Sequence, residues 1–298
     1  MSIGRVEIEP KTLVAGVFLI VLWAGEAFAP FYPHFRGGLR ERLLHDGRNL
    51  GLGVVNALFL ALLFGAAFVA LELWAESRSV GLFRIVEWPL WLEVGLILLL
   101  FDLWMYVWHR ANHRIPFLWR FHRVHHSDPE MDVTTGIRFH PGEMVLSTVA
   151  RMVVIPLLGM SLWHLVIYEA LLLPVILFHH SNVRLPRWMD YGLLPFVVTP
   201  AMHRVHHSRW QPETDSNYGS ILPWWDRLFG SFRLRQDART IELGLEEFDG
   251  DDWQTLRGIL KTPLAPPGSP GSPEDPSSGR PGDGAMDAVP DRVHGDGA

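Results

Sequence analysis

At 298 residues with a formal charge of −6, the chain is long enough for one or two domains, and no basic stripe points to a nucleic-acid partner. It has no cysteine, which excludes a disulfide framework and any thiolate site, so a metal would be held by nitrogen and oxygen ligands. Apolar residues make up 48% against 19% charged, and they are gathered in long runs.

The first run, Leu13 to Ala29, is broken only by Glu26. It reads as a short transmembrane helix or an uncleaved signal sequence, although Glu7 and Glu9 beside Arg5 and Lys11 make a poor basic leader. A loop from Phe35 to Arg48 carries Arg36, Arg40, Arg42 and Arg48. Asn49 to Ala75 is a second span, with Gly51, Gly53 and Gly65 permitting close helix contact. Pro89 to Trp108 is a third, ending in Trp104, Tyr106 and Trp108 at a membrane–water boundary. Met144 to Phe178 is too long for one span; Pro156 and Gly159 break it into a helical hairpin, or two short spans, that enters and leaves on one side. Arg151 and Glu169 lie within it and must face protein or water. Past Leu260 the composition turns to Pro, Gly, Ser and Asp, a disordered tail. The division is therefore 1–90 for the N-terminal spans and loops, 91–260 for the core and 261–298 for the tail. From Pro263 onward six acids (Glu274, Asp275, Asp283, Asp287, Asp291, Asp296) oppose Arg280 and Arg292, so four of the six net negative charges sit there.

The chemistry lies in the histidines. His122-Arg-Val-His125-His126 is repeated as His203-Arg-Val-His206-His207. Positions i, i+3 and i+4 share one helix face, so each copy aims three imidazoles one way. His109 and His113 add an i, i+4 pair at the mouth of the third span. Eight histidines exceed one tetrahedral zinc site, and the arithmetic points to two metal ions. Further candidates are His180, whose neighbour His179 diverges by about 100° on a helix and stays open, and His140, a ligand or a cap. His164 reads as structural, and His34 and His45 have no histidine partners. His294 lies in the tail and is excluded. Asp102, Asp215 and Asn217 are the candidate catalytic residues, acting by orienting ligands: an imidazole on a metal usually donates its other N–H to a carboxylate or carbonyl. Asp102 lies seven residues before His109, on the same helix face. Asp226 is a further candidate.

Imidazole suits Zn, Cu, Fe and Ni alike. This many histidines at the ends of lipid-facing helices fit two irons, which would activate dioxygen against an alkyl chain arriving from the bilayer. Two alternatives are a histidine-rich Zn or Ni transporter, whose sites belong near the membrane midplane, and a zinc-dependent lipid hydrolase needing only three ligands.

The motifs from His109 to Phe232 resemble the fatty acid hydroxylase/sterol desaturase superfamily. The resemblance rests on His109-x3-His113, the two HxxHH elements and the His179-His180-Ser181-Asn182 stretch. It rests also on Thr214 to Gly219 with Trp225 to Gly230, similar to the bacterial and alkylglycerol-monooxygenase-like branch. It departs where fatty-acid members carry a spaced histidine pair and this chain has adjacent His179 and His180. The resemblance implies an all-α integral membrane bundle with a cytoplasmic histidine-rich helical cap. It also implies a non-haem di-iron centre, O2 as oxidant and a lipid substrate that is hydroxylated, desaturated or cleaved. No flavin, haem or nucleotide motif is present, so electrons come from an external donor, a protein or a soluble reductant. The basic residues on the histidine side (Arg110, Arg114, Arg120, Arg123 and the Phe35 to Arg48 stretch) place it in the cytoplasm of a bacterial-type inner membrane.

Overall fold

The computed structural model describes residues 10–33, 35 and 38–266. The charged stretch before residue 10, His34, Arg36, His294 and the expected tail from 267 onward lie outside the described residues.

The protein is an all-α bundle. Among the described residues there is no strand, only two isolated antiparallel bridges, Pro30 with Val183 and Ser208 with Leu243. α1 (Pro10–Phe28) rises to the histidine end, and α2 (Leu39–Ser77) starts there and descends. α3 (Leu90–Arg114) rises again and delivers His109 and His113 in its last turns. Pro116 at the first position of α4 (Pro116–His126) lacks a donor that a helix start does not need, and it lets the chain turn across the end of the bundle. α5 (Pro141–Leu158) descends and α6 (Leu162–His180) returns. Short helices complete the cap: α7 (Arg187–Leu193), α8 (Pro200–His206), α9 (Gln211–Thr214), α10 (Trp224–Leu228) and α11 (Leu256–Lys261).

Four helical segments, Leu39–Arg84, Leu90–Arg114, Pro141–Leu158 and Leu162–His180, are long and apolar enough to cross a membrane, and α1 adds a shorter apolar helix. Their outward faces carry exposed Leu58, Leu62, Val153, Leu157, Val166 and Leu171, a belt that only lipid would cover favourably. The expected hairpin is α5–α6. Gly159 closes it in a left-handed conformation at φ 79°. Gly81 meets it: a Cβ there would stand 2.2 Å from the Gly159 Cα. Phe83, Ile97, Phe101, Ile155, Met160, Tyr168 and Leu172 pack the core of this half of the bundle.

Two boundaries differ from expectation. The basic loop from Phe35 to Arg48 is largely helix, because α2 begins at Leu39 and runs for 39 residues, about 58 Å. Its first three turns point a polar face inward, where Arg42, His45, Asp46 and Asn49 are buried and find partners inside the cap. The tail does not start at 261 either. Arg123, 1% exposed, donates to the carbonyls of Thr262, Ala265 and Pro266 and holds that segment against α4.

Candidate metal centre

The two repeated elements lie on α4 and α8, and the helices bring them face to face. The imidazoles form two groups of converging nitrogens: His109, His113, His122, His126 and His206 in one, His125, His180, His203 and His207 in the other. Each triad is split between the groups. His122 and His126 join the first while His125 joins the second; His206 joins the first while His203 and His207 join the second. The rings of His126 and His207 stack at 4.4 Å between centroids, at the seam.

Ring tautomers follow from the outer partners, because a carbonyl oxygen only accepts. His109 Nδ1 donates to Tyr218 O at 2.9 Å, His206 Nδ1 to Ser216 O at 2.7 Å, and His180 Nδ1 to Ile176 O at 2.8 Å. His122 Nδ1 stands 2.7 Å from Glu143 Oε1. Neutral rings held this way turn bare Nε2 lone pairs inward. The Nε2 atoms of His109 and His206 then face each other at 3.1 Å. His180 Nε2 faces His125 Nε2 at 3.1 Å and His203 Nε2 at 3.0 Å. Between His109 and His206, whose Nδ1 atoms both donate outward, two lone pairs at 3.1 Å repel unless a cation lies between them, whereas the Nδ1 atoms of His125 and His203 have no partner and leave the tautomers of those two rings unset. Nitrogens bonded to one ion at about 2.1 Å with about 90° between them stand about 3.0 Å apart, as found. His113, His126 and His207 have both ring nitrogens buried without a hydrogen-bond partner, which adds to the fit of the donor set to metal.

The field agrees. Burial is the largest influence on the cap imidazoles, followed for most by their like neighbours. It holds His125, His126, His203 and His207 well below the ordinary histidine range and His206 at about 3, where the Ser216 carbonyl pulls the other way. Neutral imidazole at pH 7 is the form that binds metal.

The other expected residues are placed differently. His179 lies outside both groups, its ring 4.0 Å from that of His203. His140 also lies outside: it caps α5, its Nδ1 accepting from Gly142 N at 2.9 Å. His164 caps α6 with Ser161. Asp102 touches no histidine. It accepts from Tyr168 Oη and Trp225 Nε1, both at 2.8 Å, and from the Ile221 and Leu222 amides at 3.3 and 3.2 Å. Seven residues put it on the His109 face but about 10 Å away along the axis. Asn217, left-handed at φ 55°, bridges Met202 O and the Arg233 backbone. Asp215 Oδ1 stands 3.6 Å from His113 Nδ1 and its Oδ2 3.7 Å from Arg114. Asp226 accepts from the Tyr218 and Gly219 amides at 2.8 Å and from Ser231, fixing the carbonyl that orients His109. Sequence reasoning missed Glu143; its position in the first turn of α5, after Pro141-Gly142, was the available signal.

A cavity of about 530 Å³ reaches the histidines from between α2, α3, α5 and α6. Apolar Val54, Ala57, Leu172, Leu173 and Ile176 line it, and His109, His122, His125, His180 and His203 face its inner end. Arg151 and Glu169, 4.0 Å apart, also line it, about 15 Å from the histidine ends of α5 and α6 by helical rise.

Residues 94–231 match the fatty acid hydroxylase family. The chain is 32% identical over 160 residues to an ornithine lipid hydroxylase of Rhizobium tropici, covering 53% of this chain and 47% of that one. It is 33% identical over 137 residues to the alkylglycerol monooxygenase of Danio rerio, covering 46% and 29%. It is also 32% identical over 162 residues to a cholesterol 25-hydroxylase-like protein of Danio rerio, covering 53% and 60%. The chain thus spans less than two thirds of the length of each of these relatives. No solved structure matches it.

Proposed function

Since residues 94–231 match the fatty acid hydroxylase family, we propose that the protein is a membrane-embedded non-haem di-iron oxygenase that uses O2 to hydroxylate or desaturate a lipid. The observation that carries this reading is the convergence of nine imidazole nitrogens from four helices into two groups, with the bare Nε2 atoms of His109 and His206 facing each other at 3.1 Å. One ion per group would be held by His109, His113, His122, His126 and His206, and by His125, His180, His203 and His207. Bound iron would supply the oxidising power for an unactivated C–H bond, which no side chain here provides.

The protein's own part is positioning. Tyr218 O, Ser216 O, Ile176 O and Glu143 fix four rings, so the lone pairs are aimed before any ligand arrives. The cavity gives an alkyl chain a dry route to the histidines, avoiding a cost of about 0.8 kcal/mol for each methylene exposed to water. Arg151 and Glu169 give it a polar stop, suiting a lipid with a polar group about 15 Å from the reacting carbon. We place the histidine side in the cytoplasm of a bacterial-type inner membrane. Arg42, Arg123 and Arg204 are buried in internal contacts, so this orientation rests on Arg40, Arg48, Arg110, Arg114 and Arg120. Electrons would come from a separate donor protein or a soluble reductant.

The test is metal content and turnover of the detergent-purified protein. Iron in both groups, O2 uptake coupled to oxidised lipid, and activity rising with alkyl length are expected. His206→Ala and His125→Ala, one from each group, should each lower bound iron and abolish turnover. Full iron retention in both variants, or equal turnover of a short water-soluble analogue, would overturn the proposal.

A further inference from the structure

Glu26 interrupts the first apolar run, and α2 starts with a buried polar face; the same place in the cap explains both. Glu26 Oε1 accepts from the Val133 and Asn182 amides at 2.8 Å, and its Oε2 pairs with Arg42 at 2.7 Å. Beside it stand His45 and Asp46 from α2, with Asp128 and Asp132 from the segment after α4. None of these four is more than 7% exposed.

Three atoms here converge without partners. His45 Nδ1, Asp46 Oδ1 and Asp132 Oδ2 are buried and make no hydrogen bond. His45 Nδ1 stands 3.5 Å from each of the two oxygens, too far for a good hydrogen bond. In both carboxylates the other oxygen is occupied: Asp46 Oδ2 accepts from Trp23 Nε1 at 2.7 Å, and Asp132 Oδ1 from the Thr134 amide and hydroxyl at 2.8 and 2.6 Å. The free oxygens are therefore aimed inward. On the far side of the ring, His45 Nε2 lies 3.0 Å from both oxygens of Asp128. A carboxylate on one nitrogen of a histidine leaves the other free to bind metal.

We propose that His45 Nδ1, Asp46 Oδ1 and Asp132 Oδ2 form a third metal site, separate from the nine-histidine centre, for a divalent first-row cation such as zinc. Bonds of about 2.0–2.2 Å in a tetrahedral site set ligand atoms about 3.3–3.6 Å apart, which brackets the observed 3.5 Å. One imidazole with two carboxylates suits zinc or manganese better than a soft ion. Such a site fastens the start of α2 to the segment that follows the first HxxHH element, which makes it a structural clamp.

The experiment uses the full chain in detergent, with its histidine centre first filled with iron and excess removed. Zinc is then added and bound zinc is counted by mass spectrometry of the metals. One zinc per chain is expected in the wild type. Asp132→Asn, nearly isosteric, should lower it at least tenfold while iron content stays unchanged. X-ray absorption at the zinc edge of the wild type serves as the second measurement should that variant not fold. One imidazole nitrogen among oxygen ligands is expected. No zinc uptake, undiminished uptake in Asp132→Asn, or an all-imidazole zinc environment would each overturn the proposal, the first pointing to a proton shared by Asp46 and Asp132. Should iron fail to load, zinc is counted on wild type and Asp132→Asn side by side, and the third site is read as the difference of one zinc per chain, so the two proposals fail separately.

Discussion

Asp102→Ala removes a clasp that joins three parts of the protein. The carboxylate lies on α3, takes a hydroxyl from α6 through Tyr168, and takes three N–H groups from the segment Ile221 to Trp225. It is 2% exposed, so water does not readily replace it. Each buried donor left without an acceptor costs about 1–3 kcal/mol. The two bonds at 2.8 Å carry most of that, since the Ile221 and Leu222 amides are longer contacts at 3.3 and 3.2 Å. The expected loss is about 3–5 kcal/mol, in the range for breaking a buried charged network. At about 2–4 °C per kcal/mol for a chain of this size, Tm should fall by at least ~6 °C. Asp102→Asn is the control. With its amide toward Tyr168, whose hydroxyl can accept, it keeps an oxygen for Trp225 and Leu222 and should cost about 1–2 kcal/mol. Thermal unfolding of the purified protein followed by tryptophan fluorescence reads the difference. Should Ala cost no more than Asn, the donors are satisfied in another way and the clasp is not what holds this corner.

Glu143→Gln should weaken metal binding 10–100-fold through His122, a range typical of such partners, read as the chelator concentration that strips half the metal. Gly81→Val should unfold at a lower temperature than wild type or fail to accumulate, because any Cβ there strikes the Gly159 backbone and the residue sits at φ 127°; unchanged Tm would contradict this packing. In intact cells an impermeant thiol reagent should label Ser77→Cys and spare Asp252→Cys, both exposed positions; the reverse pattern would invert the assigned orientation. Arg151→Leu should raise KM for lipids with a polar group more than it changes kcat, and a kcat loss alone would remove Arg151 from substrate recognition.

The triads were readable because one helix rule governs them: residues i, i+3 and i+4 on α4 and α8 must point together. Their division between two groups was not readable, since it depends on how α4 crosses α8. Glu143 lies 21 residues from His122, and no local pattern pairs them. His45 looked isolated because only histidines were sought around it, while its partners are carboxylates, two of them more than 80 residues away. Residues 39–48 read as loop because charges there obscure the apolar period; Arg42 and Asp46 are inside, partnered within the cap, while Arg40 and Glu41 stay exposed. The spans were the easiest to read, since apolar length alone specifies them, and Asp102 the most misleading. Sharing a helix face does not make residues neighbours when two turns of helix lie between them.

The facing imidazoles have a consequence for the chain as a polymer. His109 and His206 are 97 positions apart, and His125 and His180 are 55 apart. Each pair, once joined through an ion, closes a loop as a disulfide would. For loops of this length a cross-link removes roughly 4 kcal/mol of disorder from the unfolded chain. A protein without cysteine would thus draw its covalent-like staples from imidazole. They would form after the helices have assembled, because each ion draws its ligands from more than one helix. Loading would then be the last act of maturation, and a chelator would loosen the cap while leaving the membrane helices in place.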